Sequence, residues 1–272
     1  MTDPEIPTSR SRLRTAIAAT AVVVAIVPII VGLLLSGGRS ATAGPTTSTS
    51  ASKPFVPVVI KKIAVVPSRL LPAGSGALVA DLKHGTQMRS KPGGGRLITK
   101  VSTKTVFGSA QTFWVEHLSG SWLGVVSNLA GNNRVGWIPA SSATLSRVDW
   151  ELKASLSKRE LTVFHNGKPM EHYSIAVGAP AAPTPTGRFA VTDRLTTGDP
   201  AGPYGCCILA LSAEAPHAIQ DWSGGNRIAI HSTPETDSIG KPVSHGCMRL
   251  SLAHGRWLLA HIPLGTPTLV ST

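Results

Sequence analysis

The chain has 272 residues, of which 42% are apolar and 15% charged, and its net charge is +12. That length allows one large domain or two small ones with tails. The 27 glycines and 21 prolines argue against a fold dominated by helices. The basic excess is compatible with nucleic acid, anionic lipid or an anionic polymer as partner, so composition leaves the partner class open. Three cysteines exclude complete pairing within the chain.

The N-terminal region contains one apolar run. Residues 16–35 carry no charged side chain, and their number is about that needed for a helix to span a bilayer. Arg10, Arg12 and Arg14 precede the run, which predicts that residues 1–15 stay in the cytoplasm and that the remainder lies outside. The sequence therefore predicts a single-pass membrane anchor with an extracytoplasmic main body.

A second interpretation of this region is a signal peptide cleaved after Ala41-Thr42-Ala43, but the apolar run is longer than a usual signal core. Both interpretations place the main body in the cell wall or periplasmic space. That location argues against nucleic acid as a partner, and it relates the positive charge to the anionic polymers of a cell wall.

The chain outside the apolar run divides into three parts. Residues 36–75 are rich in Ser, Thr and Pro, which predicts a flexible linker. Residues 76–146 contain short β-rich runs between turn signals, as expected for a small barrel or sandwich. Residues 147–272 repeat this pattern and contain one short helix, predicted over Leu250–Ala260. The expected fold class is therefore mainly β, with two globular domains.

Within 76–146, three short motifs resemble bacterial SH3-like domains, of which the trailing Gly-Trp-Ile is the most diagnostic. The resemblance implies a small SH3-like β-barrel. The motifs are Met88–Gly93, Trp122–Val125 and Gly136–Pro139.

Within 147–272, Asn166-Gly167 stands between two strand-like runs and predicts a tight type I′ hairpin turn. The predicted strands are Trp150–Leu156, Glu160–Phe164, His172–Val177, Arg188–Thr192, Ile208–Ser212, Arg227–His231 and Thr268–Val270.

Cys206 and Cys207 are adjacent, so a bridge between them would close a strained ring and is not expected. Strand alternation instead predicts that one of the two faces the core and the other faces outward. Cys247 is then the thiol that needs an explanation.

His231 and Cys247 form a candidate catalytic pair. His231 ends a strand-like run, and Cys247 follows sixteen residues later in Ser-His-Gly-Cys-Met-Arg. An imidazole can take the thiol proton and later return it to a leaving amine. Gly246 would let a substrate carbonyl approach, and the N–H groups of Gly246 and Cys247 could form an oxyanion hole. A helix starting near Leu250 would add a dipole that favours a thiolate.

Zinc is the competing interpretation of this cluster, because His231, His245 and Cys247 are all possible ligands. A fourth ligand with recognisable spacing is missing, so no metal and no cofactor are expected.

Three ordered motifs within 147–272 resemble the L,D-transpeptidase catalytic domain, the YkuD-like fold. They are the block from His231 to Ser244–Arg249, the run Pro183–Gly187, and the opening stretch Leu161–Gly167. The resemblance implies that Cys247 is the nucleophile and His231 the base, with the Ser232 carbonyl orienting the imidazole. It also implies that Gly246 shapes the oxyanion site. The residues expected to contact substrate are Ser244, His245, Arg249 and Tyr204. Arg249 would bind a substrate carboxylate or fix the active-site loop, and Tyr204 would lie on a loop that forms a lid.

The resemblance further implies a two-step reaction on peptidoglycan stem peptides that forms 3→3 crosslinks through a Cys247 thioester, with β-lactams of the carbapenem type as inhibitors. Three alternatives stay open from the sequence. They are an L,D-carboxypeptidase, an inactive wall-binding module, and attachment of a protein to peptidoglycan by the same chemistry.

Overall fold

The structure is a computed structural model, and it describes residues 71–216 and 225–272. The predicted tail and anchor, residues 1–35, lie outside this described part. Within it, none of the helices has the length and apolar character that crossing a bilayer requires. The described part contains seventeen β-strands and one α-helix, which confirms the prediction of a mainly β protein.

The first sheet has seven strands in the order β3-β2-β6-β5-β4-β1-β7, and all its pairs are antiparallel. Its inward side chains, among them Met88, Phe113 and Leu123, form a core of their own. The bounds are β1 (Ala77–Leu82), β2 (Thr86–Arg89), β3 (Leu97–Val101), β4 (Thr112–Ser119), β5 (Trp122–Val126), β6 (Val135–Pro139) and β7 (Ala143–Val148).

The second sheet has eight strands in the order β10-β9-β8-β17-β12-β13-β14-β16. A separate pair, β11 and β15, runs parallel beside it. The single helix, α1, spans Leu252–His261. The strand bounds are β8 (Trp150–Ser155), β9 (Glu160–His165), β10 (Lys168–Ser174), β11 (Val177–Gly178), β12 (Gly187–Thr196), β13 (Cys207–Glu214), β14 (Arg227–Thr233), β15 (Pro242–Ser244), β16 (Met248–Ser251) and β17 (Pro267–Ser271).

The predicted hairpin between β9 and β10 is confirmed. His165 pairs with Lys168, and the two residues between them have positive φ values, 51° at Asn166 and 73° at Gly167. Type I′ turns require this conformation at both central positions, and Asn-Gly adopts it at low cost. The turn therefore sets the register of the strands that open the second sheet.

Along β8 and β9, every second side chain points into the core. Leu152 and Ala154 are buried on β8, and Leu161 and Val163 are buried opposite them on β9. Burial of each Leu or Val side chain stabilises the fold by about 1.5–3 kcal/mol. This core also includes Ile228 and Ile230 of β14 and Leu258 of α1, so the strand that carries His231 is anchored in it.

Polar contacts join the two sheets. Asn132 Nδ2 donates to the Glu214 carbonyl over 2.7 Å, and the Arg188 guanidinium pairs with Glu116 at 2.9 Å. Asn133 binds two backbone groups where β12 begins, donating to the Thr186 carbonyl just before the strand and accepting from the Arg188 N–H within it. The first sheet thereby holds the loop whose other end reaches the candidate site.

Candidate active site

The two predicted catalytic residues come together through parallel pairing of β14 with β16. In that register Ile230 lies opposite Met248, and His231 lies opposite Arg249. Side chains alternate along strands, so His231 shares a face with Arg249 and with Cys247, which directly precedes β16. Cys247 packs in an apolar cluster that includes Tyr204. The sheet therefore brings together two residues that are separated by a loop in sequence.

His231 is held as a neutral base. Its side chain is buried, and Nδ1 lies 2.8 Å from the Ser232 carbonyl. A carbonyl can only accept, so Nδ1 carries the proton and Nε2 is the basic nitrogen. The pKa of His231 is lowered to about 4: burial is the largest cause and the charge of Arg249 adds to it, while backbone hydrogen bonds with Ser232 and Tyr204 act in the opposite direction. At neutral pH the imidazole can therefore accept a proton.

Cys247 is held as a neutral thiol. It is 7% exposed, and burial raises its pKa to about 11, with a backbone hydrogen bond at Ala229 and the Arg249 charge lowering it in part. The expectation that a helix dipole stabilises the Cys247 thiolate is wrong. β16 lies between Cys247 and α1, which begins at Leu252, and a dipole acts only near the first turn. The nucleophile is therefore generated by proton transfer during attack.

The loop before Cys247 is closed by Ser244. Its Oγ donates to the Cys247 carbonyl over 2.6 Å and accepts from the Gly246 N–H over 3.1 Å. Two expectations are corrected here. Ser244 is 1% exposed, so it shapes the loop and does not face substrate, and the Gly246 N–H is already bonded within the loop. The Cys247 N–H is the donor that this loop offers to an oxyanion.

Gly246 itself is required by geometry. Its φ is 115°, a conformation that L side chains rarely adopt, and a Cβ there would lie 2.9 Å from Ile228 Cδ1. The predicted importance of Gly246 therefore has a steric origin in addition to substrate access.

Thr184 is a functional residue that the sequence reasoning missed. Its buried Oγ1 donates to the Gly246 carbonyl over 2.8 Å and accepts from the Gly178 N–H over 2.9 Å. The C=O and N–H of one trans peptide point in opposite directions. Holding the Gly246 carbonyl therefore aims the Cys247 N–H away from Thr184. The signal was present in the rigid Pro-Thr-Pro run, but nothing in that run reveals its distant partner.

Arg249 lies beside the pair and is anchored by an acidic partner. Its Nη1 is 3.3 Å from Glu235 Oε2, while its Nε is buried with no hydrogen-bond partner in the part of the chain that the structure describes. This arrangement agrees with a role in fixing the loop. His245 is exposed and lies at the outer side of the same loop.

Tyr204 covers His231 from the loop between β12 and β13. The two rings meet edge to face, with centroids 4.9 Å apart. Gly205 follows with a φ of 55°, and a Cβ there would lie 2.5 Å from Ser232 Oγ. The loop thus rests directly on the residue whose carbonyl orients the imidazole.

The expectation that Cys206 and Cys207 do not pair is wrong, because they form a disulfide. The alternation argument requires both residues to lie in a strand, but β13 begins only at Cys207 and Cys206 belongs to the preceding turn. Cys206 Sγ also lies 3.5 Å from Ser232 Oγ. Cys247 is then the free cysteine of the three.

A buried thiol, a neutral imidazole oriented by a carbonyl and a pre-aimed N–H define a cysteine acyl-transfer site on a β scaffold. Comparison with known proteins identifies the family. Residues 149–270 match the family model of the L,D-transpeptidase catalytic domain, YkuD.

The chain is similar to YkuD of Bacillus subtilis (strain 168), with 32% identity over 124 residues, which is 46% of this chain and 67% of that protein. It is 32% identical over 125 residues to L,D-transpeptidase 1 of Mycobacterium tuberculosis, covering 42% of this chain and 47% of that protein. The chain therefore belongs to the family of L,D-transpeptidase catalytic domains, and it is an acyltransferase of that family.

Solved structures that match this chain include L,D-transpeptidase 3 from Mycobacterium tuberculosis in complex with a faropenem-derived adduct. That chain is 21% identical with a TM-score of 0.37, over 60% of this chain and 79% of that one. The catalytic domain of the E. faecium L,D-transpeptidase is 23% identical with a TM-score of 0.34, over 45% of this chain and 97% of that one.

Proposed function

We propose that the protein is an exported peptidoglycan L,D-transpeptidase that forms 3→3 crosslinks between stem peptides through a Cys247 thioester. The observation that carries this proposal is the shared face of His231 and Cys247 across the β14–β16 pair, both residues being buried and neutral. Family membership supports the reaction class, and the chemistry of the site supports the order of steps.

In the first step His231 Nε2 takes the Sγ proton while the sulfur attacks the carbonyl carbon of the third residue of a tetrapeptide stem. The developing oxyanion accepts a hydrogen bond from the Cys247 N–H, an interaction that is worth most in a site closed to water. The imidazolium then returns the proton to the leaving amine of D-alanine. A thioester remains on Cys247.

In the second step an amine of a neighbouring stem attacks the thioester carbon. His231 accepts the ammonium proton and returns it to the departing sulfur, which restores the thiol. The product is a 3→3 crosslink when the amine belongs to diaminopimelate. No atom changes oxidation state in either step, so the cycle needs no oxidant or reductant.

Attack by water on the same thioester would make the enzyme an L,D-carboxypeptidase. Burial favours transfer to an amine, because Cys247 is 7% exposed and Tyr204 covers the base. Water must enter the closed site to hydrolyse the thioester, whereas an acceptor stem can displace the lid by its own binding energy.

The location and the N-terminal module belong to the same proposal. We infer a single-pass anchor at residues 16–35, on its length and flanking arginines, and an SH3-like wall-binding role for the first sheet. Anchoring at the membrane would hold the catalytic site near newly made peptidoglycan.

The deciding experiment is incubation of the enzyme with purified tetrapeptide stems, followed by mass spectrometry. Formation of a crosslinked dimer with release of D-alanine supports the proposal. A trimmed tripeptide alone would identify a carboxypeptidase, and unchanged stems would favour an inactive binding module. Cys247→Ala is the matched negative control.

A further inference from the structure

The first sheet carries a cleft far from Cys247 in sequence, at the β2–β3 edge. Its volume is about 820 Å³, and its walls include Arg89, Lys100, Trp122 and Pro139 together with the glycines 93 and 94. β3 is the outermost strand of its sheet, so the cleft opens at an edge that no other strand of that sheet covers.

The stretch of sequence that supplies Arg89 and Lys100 to this cleft has one sign of charge. Between Asp81 and Glu116 there are six lysines and arginines and no acidic residue. Five of the six are exposed, and within residues 71–216 and 225–272 none of them forms an ion pair with a carboxylate. Basic side chains without acidic partners attract anions and steer charged polymers toward the surface. The six are Lys83, Arg89, Lys91, Arg96, Lys100 and Lys104.

One of these cations is already fixed in position. The Arg89 guanidinium donates to Gln87 Oε1 over 2.8 Å and to the Gly95 carbonyl over 3.0 Å. Two of its five N–H groups hold it in place, and the remainder of the planar fork is available for an anionic oxygen. A pre-oriented cation loses less conformational entropy on binding than a free lysine does.

The cleft also offers an apolar platform. Trp122 lies directly opposite Pro139 in the β5–β6 pair, and both line the cleft. An indole ring presents a broad apolar face that remains partly exposed here, suited to contact with a ring of similar size. A Cβ at Gly93 or Gly94 would meet no atom within 4 Å, so this rim is open to a bulky polymer.

We propose that this cleft binds an anionic polysaccharide, with a sugar ring against Trp122 and Pro139 and its acidic group at Arg89 and Lys100. A fixed cation beside an apolar platform fits a charged sugar better than it fits either a neutral glycan or a bare polyanion. Binding there would hold the second sheet, and the acyl-transfer site on it, against an anionic polymer of the wall.

The test measures binding of the full-length chain, in detergent, to three labelled probes of equal length. Oligogalacturonate carries one carboxylate per sugar, a phosphate-linked glycan oligomer carries phosphodiesters, and dextran is the neutral control. Polyphosphate serves as a fourth probe with charge and no sugar. The proposal predicts binding to one or both acidic glycans, little binding to dextran, and weakening as salt rises, because exposed charges are screened.

Two variants separate the cleft from the general positive charge. Lys100→Glu is expected to weaken acidic-glycan binding by about tenfold or more, the scale of losing one charge-assisted contact. Lys168→Glu makes the same charge change at an exposed lysine of the β9–β10 hairpin and should change the affinity less than about twofold. Equal weakening by both variants would overturn the cleft as the binding site.

Trp122→Ala tests the platform. It should weaken acidic-glycan binding by about fivefold or more, the scale of losing an aromatic contact, while leaving polyphosphate binding unchanged. Equal loss for both probes would reduce the site to a charge patch and overturn the glycan assignment. Thermal unfolding of Trp122→Ala checks that the sheet is intact, and Trp122→Phe gives a milder second variant. Acylation of Cys247 should stay unchanged in all variants, so this inference can fail while the proposed function stands.

Discussion

The hydroxyl of Thr184 donates a 2.8 Å hydrogen bond to the carbonyl of Gly246, across 62 positions of sequence. Thr184 lies four residues before Arg188 in the chain. The Arg188 N–H donates to Asn133, which belongs to the first sheet's part of the chain. The orientation of the peptide before Cys247 therefore depends on a loop that is held at both ends. This relationship makes Thr184 a positioning residue for the oxyanion donor.

Thr184→Val should slow acylation of Cys247 about tenfold while the protein stays folded. The Gly246 carbonyl loses a buried donor, which costs about 1–3 kcal/mol. The peptide can then rotate, so the Cys247 N–H is no longer aimed at the oxyanion. Thr184→Ser should restore the rate, and Thr186→Val, which leaves the Thr186 carbonyl bond to Asn133 intact, should have little effect. Equal rates for the Val and wild-type enzymes would remove Thr184 from the mechanism.

Carbapenems should acylate Cys247, because a nucleophile that opens an amide also opens a strained lactam. The adduct is read as a mass increase on the intact protein. His231→Ala should slow the reaction by about 10²-fold or more, the usual scale for a lost general base. Cys247→Ala should abolish it, whereas Cys206→Ala and Cys207→Ala should retain substantial reactivity. An adduct mapped to Cys206 or Cys207 would contradict the choice of nucleophile.

Mutation of Arg249 and of its partner Glu235 distinguishes the two roles considered for Arg249, which are binding of a substrate carboxylate and fixing of the loop. If Arg249 binds a substrate carboxylate, Arg249→Ala should raise KM for tetrapeptide stems, since a charge-assisted hydrogen bond contributes about 1.5–3 kcal/mol. Glu235→Ala should then have a small effect, because the Glu235 side chain is 69% exposed and such ion pairs are weak. If both variants lower kcat equally with KM unchanged, Arg249 only fixes the loop.

Stability should rise with pH between about 4 and 6.5 because of His231. The folded protein keeps this imidazole neutral, with its pKa lowered from 6.5 to about 4, while the unfolded chain binds a proton at 6.5. The contribution of His231 to the free energy of unfolding is therefore complete above about pH 6.5. It decreases as pH falls below 6.5 and is lost once pH has fallen through about 4. At about 1.4 kcal/mol per pKa unit it is on the order of 3 kcal/mol.

Denaturant unfolding at several pH values measures this contribution. His231→Gln should flatten the pH dependence in that window, and His84→Gln, at an exposed histidine, should leave it unchanged. Parallel curves for wild-type and His231→Gln would show that another group is responsible.

The topology prediction is tested with protease added to intact spheroplasts. Residues 41–272 should be digested from outside, because arginines precede the apolar run and positive flanks stay in the cytoplasm. Digestion only after the spheroplasts are lysed would refute an extracytoplasmic catalytic domain.

The sequence by itself determined the local structure of the catalytic part. Asn166-Gly167 specified its hairpin, and alternating apolar residues specified β8 and β9. The motifs around His231 and Cys247 indicated the reacting pair through their resemblance to the L,D-transpeptidase catalytic domain. Turn and strand preferences act between residues that are close in the chain, so they can be read from a short window.

Only the tertiary structure decided which groups surround that pair. The bond between Thr184 and Gly246, the inward turn of Ser244 and the strand between Cys247 and α1 all depend on packing of distant segments. The Cys206–Cys207 disulfide likewise depends on where β13 begins. The pKa values that make thiol and imidazole neutral come from burial, which is a property of the folded sheet and of no local motif.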